Sequence, residues 1–139
     1  MHASRVIAFI FLLLSSIAMH GAGAALQIAP GSGQFSFTDE QGDATKHMTV
    51  YTYVPAGVTA QAAAIVFVLH GAGKNARGYR DTWIPHADKH GFMIVAPLFD
   101  SEQWSRGTYS YASIVGRDGK PQDPSLWSFN VIEHLFDAI

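Results

Sequence analysis

The sequence predicts an α/β fold in which an antiparallel hairpin is followed by a parallel β-α-β unit. Residues 34–38 and 46–54 alternate apolar and polar side chains, the period-two pattern of half-buried strands. Residues 62–69 (Ala-Ala-Ala-Ile-Val-Phe-Val-Leu) are continuously apolar instead, as a strand covered on both faces requires. A second such run, 92–97, follows a stretch of helical spacing. Strand, helix and strand at this interval form a crossover unit, whose hand is right in nearly every case.

Composition narrows the function classes. The 139 residues suffice for one domain, and 48% hydrophobic against 14% charged excludes an intrinsically disordered chain. The net charge of -2 leaves no basic excess to displace phosphate counterions, so no nucleic-acid partner is expected. With no cysteine, a disulfide framework, thiolate metal sites, a cysteine nucleophile and cysteine-linked lipidation are all excluded.

The elements follow in order. Arg5 precedes an unbroken apolar run at 6–14, and Ala22 and Ala24 fit an A-x-A cleavage pattern. Residues 1–24 therefore read as a signal peptide cleaved after Ala24. An uncleaved anchor needs about 18 or more consecutive apolar residues, more than this segment has. A secreted or periplasmic protein of 115 residues, 25–139, is expected, with net charge -3 once Arg5 is lost and with no stable membrane anchor. Without cysteines, its core alone must hold it in an oxidising compartment.

Residues 26–33, bearing Pro30, Gly31 and Ser32, read as an irregular leader. The strands 34–38 and 46–54 are joined by the polar turn Asp39-Glu40-Gln41-Gly42-Asp43, and Pro55-Ala56-Gly57 ends the hairpin. After the strand at 62–69 comes a helix over 77–90, with Tyr79, Trp83 and Ala87 on one face. Pro85 predicts a break or a fresh start within it, and Gly91 stops it. Pro97 ends the next strand. The polar stretch 100–122 carries Trp104, Tyr109 and Tyr111, which either pack the loop or line a cleft. Asp123 and Pro124 read as N-cap and first residue of a last helix, whose stripe Phe129, Ile132, Phe136 and Ile139 faces the core. No glycine, asparagine or basic turn closes that helix at Ile139, which suggests a domain that continues.

The chemistry concentrates in Leu69-His70-Gly71-Ala72-Gly73-Lys74-Asn75. A glycine-rich turn after a buried strand aims free backbone N–H groups over the strand's C-terminal edge, where open α/β sheets bind ligands. A P-loop fails twice, because Val68 stands five before Gly73 and Asn75 follows Lys74. A dinucleotide loop fails at Ala76, where its third glycine belongs. An oxyanion loop, one N–H of which holds an acyl oxyanion, meets neither objection.

Together with Gly78-Tyr79-Arg80, Trp83-Ile84-Pro85 and Val95-Ala96-Pro97, this run resembles the α/β-hydrolase superfamily. It is closest in look to secreted polyhydroxybutyrate-depolymerase-like and feruloyl-esterase-like serine esterases, over 46–139. The resemblance implies the N-terminal portion of an α/β-hydrolase-type sheet and an enzyme that cleaves small or polymeric carboxylic esters. It implies that the Ala72 backbone N–H is an oxyanion donor, that His70 and Gly71 shape the loop, and that Gly73 allows close approach. No cofactor or metal is implied.

The family's nucleophile is a serine in G-x-S-x-G, followed by an acid and a histidine. Ser32, Ser36, Ser101, Ser105, Ser110, Ser113, Ser125 and Ser128 all lack the flanking glycines, and Ser105 has one on one side only. By the resemblance the elbow belongs just beyond residue 139, so the chain carries the oxyanion half and no triad. The strand at 62–69 would then show an open apolar edge, a template for aggregation. Such a chain alone is expected to be poorly soluble or molten and to turn over no ester. The alternative is a non-catalytic α/β-hydrolase-like binding or interaction protein. The remaining candidates read as structure: His70 as loop-shaping, His86, His90, Asp81, Asp88 and Lys74 as solvated, and Asp123 as a cap.

Overall fold

The computed structural model describes residues 26–139. The signal peptide expected at 1–24 lies outside the described residues. Four strands, β1 (Gly31–Thr38), β2 (His47–Val54), β3 (Ile65–Phe67) and β4 (Met93–Leu98), form one sheet in the order β1-β2-β4-β3. β1 and β2 are antiparallel, with Gly31 opposite Val54 and Thr38 opposite His47. β2 is antiparallel to β4, and β3 runs parallel to β4 with Ile65 opposite Met93. The hairpin and the parallel crossover are both present.

Their limits differ from the sequence reading. β1 starts at Gly31, inside the expected leader, because Thr52 to Val54 of β2 offer it backbone partners. Gly33 permits that approach, since a Cβ there would sit 3.0 Å from Thr52 Oγ1. The connection between β1 and β2 runs from Asp39 to Lys46 and is no tight turn. The run 62–69 contributes only a three-residue strand. A 3-10 turn, Ala60–Ala62, precedes it, and β3 is an edge of the sheet with Leu69 38% exposed. Hydrogen bonds to β4 reach one residue past each end of β3, the Ala64 carbonyl accepting the Met93 N–H at 2.8 Å and the Val68 N–H donating to the Val95 carbonyl at 2.9 Å. β4 is the strand covered on both faces: Met93 to Pro97 are all buried, and it ends at Leu98, one residue past Pro97.

Side chains of β4 alternate between two helical layers. Ile94 and Ala96 pack with Val68 and Ala87 under α1 (Ala76–His90). The inward side of α1 is Ala76, Arg80 and Ala87, while Tyr79 and Trp83 are 42% and 41% exposed. The helix runs unbroken through Pro85. Proline there removes one hydrogen bond from the Asp81 carbonyl, and both residues are exposed, so that carbonyl is open to solvent. Arg80 fastens α1 to the hairpin, donating to the Thr52 carbonyl at 2.5 Å and the Gly33 carbonyl at 3.5 Å. Gly91 closes the helix at φ +73°, its N–H bonding the Ala87 carbonyl at 2.8 Å.

Met93 and Val95 face the other layer, joining Met48, Val50, Phe99, Trp104, Val131 and Leu135. The short α2 (Arg106–Ser110) interrupts the stretch read as loop, and α3 (Asn130–Ala138) closes this side. Asp123 caps a separate 3-10 turn, Pro124–Leu126, accepting from the Ser125 N–H at 2.9 Å. Trp127 is extended, so α3 starts later than Asp123-Pro124 implied. Its buried residues are Val131 and Leu135, flanked by the partly buried Phe129, Ile132 and Ile139. Phe136 turns outward, 53% exposed. Among the described residues, no helix is long and apolar enough to cross a membrane.

Candidate active site

β3 and β4 are parallel, so the chain leaves both at the same end of the sheet. From β3 it passes into His70 to Asn75, and from β4 into Phe99 to α2. His70 is 3% exposed and ties the two loops together. Its Nε2 accepts the Phe99 N–H at 3.0 Å, and its Nδ1 donates to the Gly71 carbonyl at 2.8 Å. The pair of bonds fixes the neutral tautomer with the proton on Nδ1. Burial pushes the imidazole below its ordinary pKa of 6.5, opposed by the bond to Gly71 and assisted by the positive charge of Lys74.

Tyr109, on α2, covers this junction. Its hydroxyl donates to the His70 carbonyl, and its ring lies 4.7 Å from the imidazole and 4.8 Å from Phe99. Burial, and then the neighbouring Tyr79, raise the pKa of Tyr109, which keeps the donor protonated. Gly71 is the crowded glycine of the loop: a Cβ there would sit 3.0 Å from the Tyr79 hydroxyl. A Cβ at Gly73 would meet nothing within 4 Å. Asn75 caps α1 by accepting the Gly78 N–H at 2.9 Å.

Lys74, expected to be solvated, is half-buried. Its backbone sits at φ +54°, a region that side-chain-bearing residues visit rarely. Its Nζ donates to the Phe99 carbonyl at 2.5 Å and the Trp104 carbonyl at 3.4 Å, and lies 5.0 Å above the Tyr109 ring. The only hint in the sequence was its place between the glycine-rich turn and the Asn75 cap.

A cleft of about 660 Å³ opens here, lined by Gly71, Ala72, Lys74, Ser101, Tyr109 and Ser110. Among the described residues, the Ala72 and Gly73 N–H groups donate to no protein acceptor, and both residues are exposed. Rigidly held amides at the rim of a cleft can stabilise a developing negative charge without reorganising when it forms.

Other candidates lie apart. Trp104 is buried against Phe99, 5.3 Å between rings, and Tyr111 is 71% exposed, so of the three loop aromatics Tyr109 alone lines the cleft. Ser105 caps α2, accepting the Thr108 N–H at 3.3 Å. His86 and His90 are exposed on α1. Asp81 pairs with Arg80 at 2.6 Å, and Asp88 accepts the Tyr53 hydroxyl at 2.6 Å. Among the described residues, no three His, Asp or Glu side chains gather as a metal site would need. A second hollow of about 530 Å³ has Trp104, Trp127 and a 2.7 Å His134–Asp39 contact in its wall, without any residue of the glycine-rich loop.

No protein-family model and no curated protein matches this sequence. Solved structures do. Poly(aspartic acid) hydrolase-1 from Sphingomonas sp. KT-1 is 39% identical with a TM-score of 0.67, over 79% of this chain and 40% of its own. The poly(3-hydroxybutyrate) depolymerase LpqC from Bordetella parapertussis is 31% identical with a TM-score of 0.68, over 80% of this chain and 38% of its own. The chain thus spans about two fifths of the length of either protein. By fold and by sequence it is α/β-hydrolase-like and resembles hydrolases of the depolymerase kind.

Proposed function

We propose that this chain supplies the oxyanion-loop half of an exported serine hydrolase that cleaves carboxylic esters, small or polymeric. The observation that carries the reading is the cleft at the end of β3, with the Ala72 and Gly73 amides free at its rim. In acyl transfer the carbonyl oxygen becomes an oxyanion, and the Ala72 N–H donates to it. His70 and Gly71 hold the loop in register, and Gly73 leaves space for the substrate. The hydrolase and depolymerase resemblance supports this assignment, as does the export signal read in 1–24.

No serine of the expected mature chain, 25–139, has the G-x-S-x-G setting, so the nucleophile, acid and general-base histidine are assigned to sequence outside these residues. In the described sheet β3 has a partner only in β4, which leaves its other side for the nucleophile strand. The test is to read the coding sequence past codon 139. A G-x-S-x-G within about 30 codons is expected, the strand-to-helix elbow of such enzymes. An open reading frame that continues without it would replace this proposal with the non-catalytic binding protein.

A further inference from the structure

The cleft beside the glycine-rich loop carries a positive charge that no acidic side chain among the described residues answers. Both acceptors that hold Lys74 Nζ are neutral backbone carbonyls, those of Phe99 and Trp104. The close contacts between basic and acidic side chains among the described residues are Lys46–Asp43, Arg80–Asp81 and His134–Asp39, none of which includes Lys74. The nearby Asp100 carboxylate is turned to its own turn, accepting the Glu102 and Gln103 N–H groups at 2.9 Å each. Lys74 also lines the cleft, two residues from Ala72.

Two features show that this ammonium is placed rather than solvated. The backbone at φ +54° is a conformation glycine adopts freely and lysine does not, and such outliers persist only where their surroundings hold them. The side chain is held in turn by two carbonyls and the Tyr109 ring, on a segment anchored by His70 and Tyr109. A half-buried cation held in place without an acidic partner attracts an anion more strongly than the same group on a mobile surface chain.

We propose that Lys74 makes this cleft a carboxylate-binding subsite, so that the preferred substrate carries an acidic group close to the carbonyl that reacts. The inference deepens the hydrolase reading above and rests on it for the word substrate. The Ala72 amide receives the oxyanion, and Lys74 receives the permanent charge. Acidic oligomers and acyl chains ending in a carboxylate are the favoured class, over neutral chains of the same length.

The test is a titration of the full-length protein with succinate and, separately, with its neutral diamide succinamide, followed by the backbone amide resonances of residues 71–74. Succinate is expected to bind at least tenfold more tightly, and added salt to weaken succinate alone. Lys74→Arg should keep the preference. Lys74→Gly should abolish it, and glycine suits the backbone there. Equal binding of the two probes, or a preference that survives in Lys74→Gly, would overturn the proposal. Should that variant fail to fold, the succinate-to-succinamide ratio of the unmodified protein and its salt dependence decide alone. Loss of the hydrolase reading looks different: no ester is turned over by the full-length protein, whatever the probes do.

Discussion

Neutral His70 accepts the Phe99 N–H through Nε2, and protonation would set two N–H groups face to face across 3.0 Å. Burial already holds its pKa below 6.5. As pH falls, the unfolded chain therefore takes the proton before the folded one does. The stability this histidine contributes is complete above 6.5 and is lost as pH drops from there through the lower folded value. Thermal melting from pH 8 to 5 should show the midpoint of the native protein falling over the acid half of that range. His70→Asn, although less stable at pH 8, should fall less; parallel curves for the two proteins would remove His70 from the account. The residues around this imidazole were unequally legible in the sequence. His70 and the two glycines stand in a contiguous motif with a known use. Lys74 belongs to the same motif but looked solvated, because its acceptors are carbonyls 25 and 30 residues away.

Among the elements, α3 shows what periodicity can and cannot decide. Apolar residues occur at 129, 131, 132, 135, 136 and 139, so two neighbouring stripes of the helix are both acceptable as a buried face. Packing selects Val131 and Leu135 and turns Phe136 outward. Leu135→Ala should cost about 2–5 kcal/mol of unfolding free energy, as buried leucine truncations do. Phe136→Ala should cost well under half as much; equal losses in denaturant titrations would mean that the helix is rotated. Proline and alanine misled in a related way. Pro85 costs α1 one hydrogen bond on its exposed side and does not break it, and the alanines at 62–64 are apolar without being strand. β4 was plain from the sequence because every residue from Met93 to Pro97 is buried, and a continuous run is what such a strand requires.

Taken together, the sheet order β1-β2-β4-β3 places the two loops that make the cleft after adjacent parallel strands. Loops so placed diverge from a common edge, and that divergence is the crevice. The antiparallel hairpin and the crossover were readable from strand patterns, but the interleaving of β4 between β2 and β3 was not, since no local signal encodes which strands pair. The structure in common with the two hydrolases covers about 80% of this chain and 40% of theirs. What the account asks of that cleft is one backbone donor at Ala72. Proline at this position removes the N–H, whereas serine keeps it. The deciding measurement is p-nitrophenyl butyrate turnover by the full-length gene product carrying Ala72→Pro or Ala72→Ser, with melting curves run alongside. We predict that folded Ala72→Pro loses about a hundred- to a thousandfold in kcat, the cost of one oxyanion donor, while Ala72→Ser stays near the native rate. A folded Ala72→Pro protein with native kcat would contradict the assignment of this loop to catalysis.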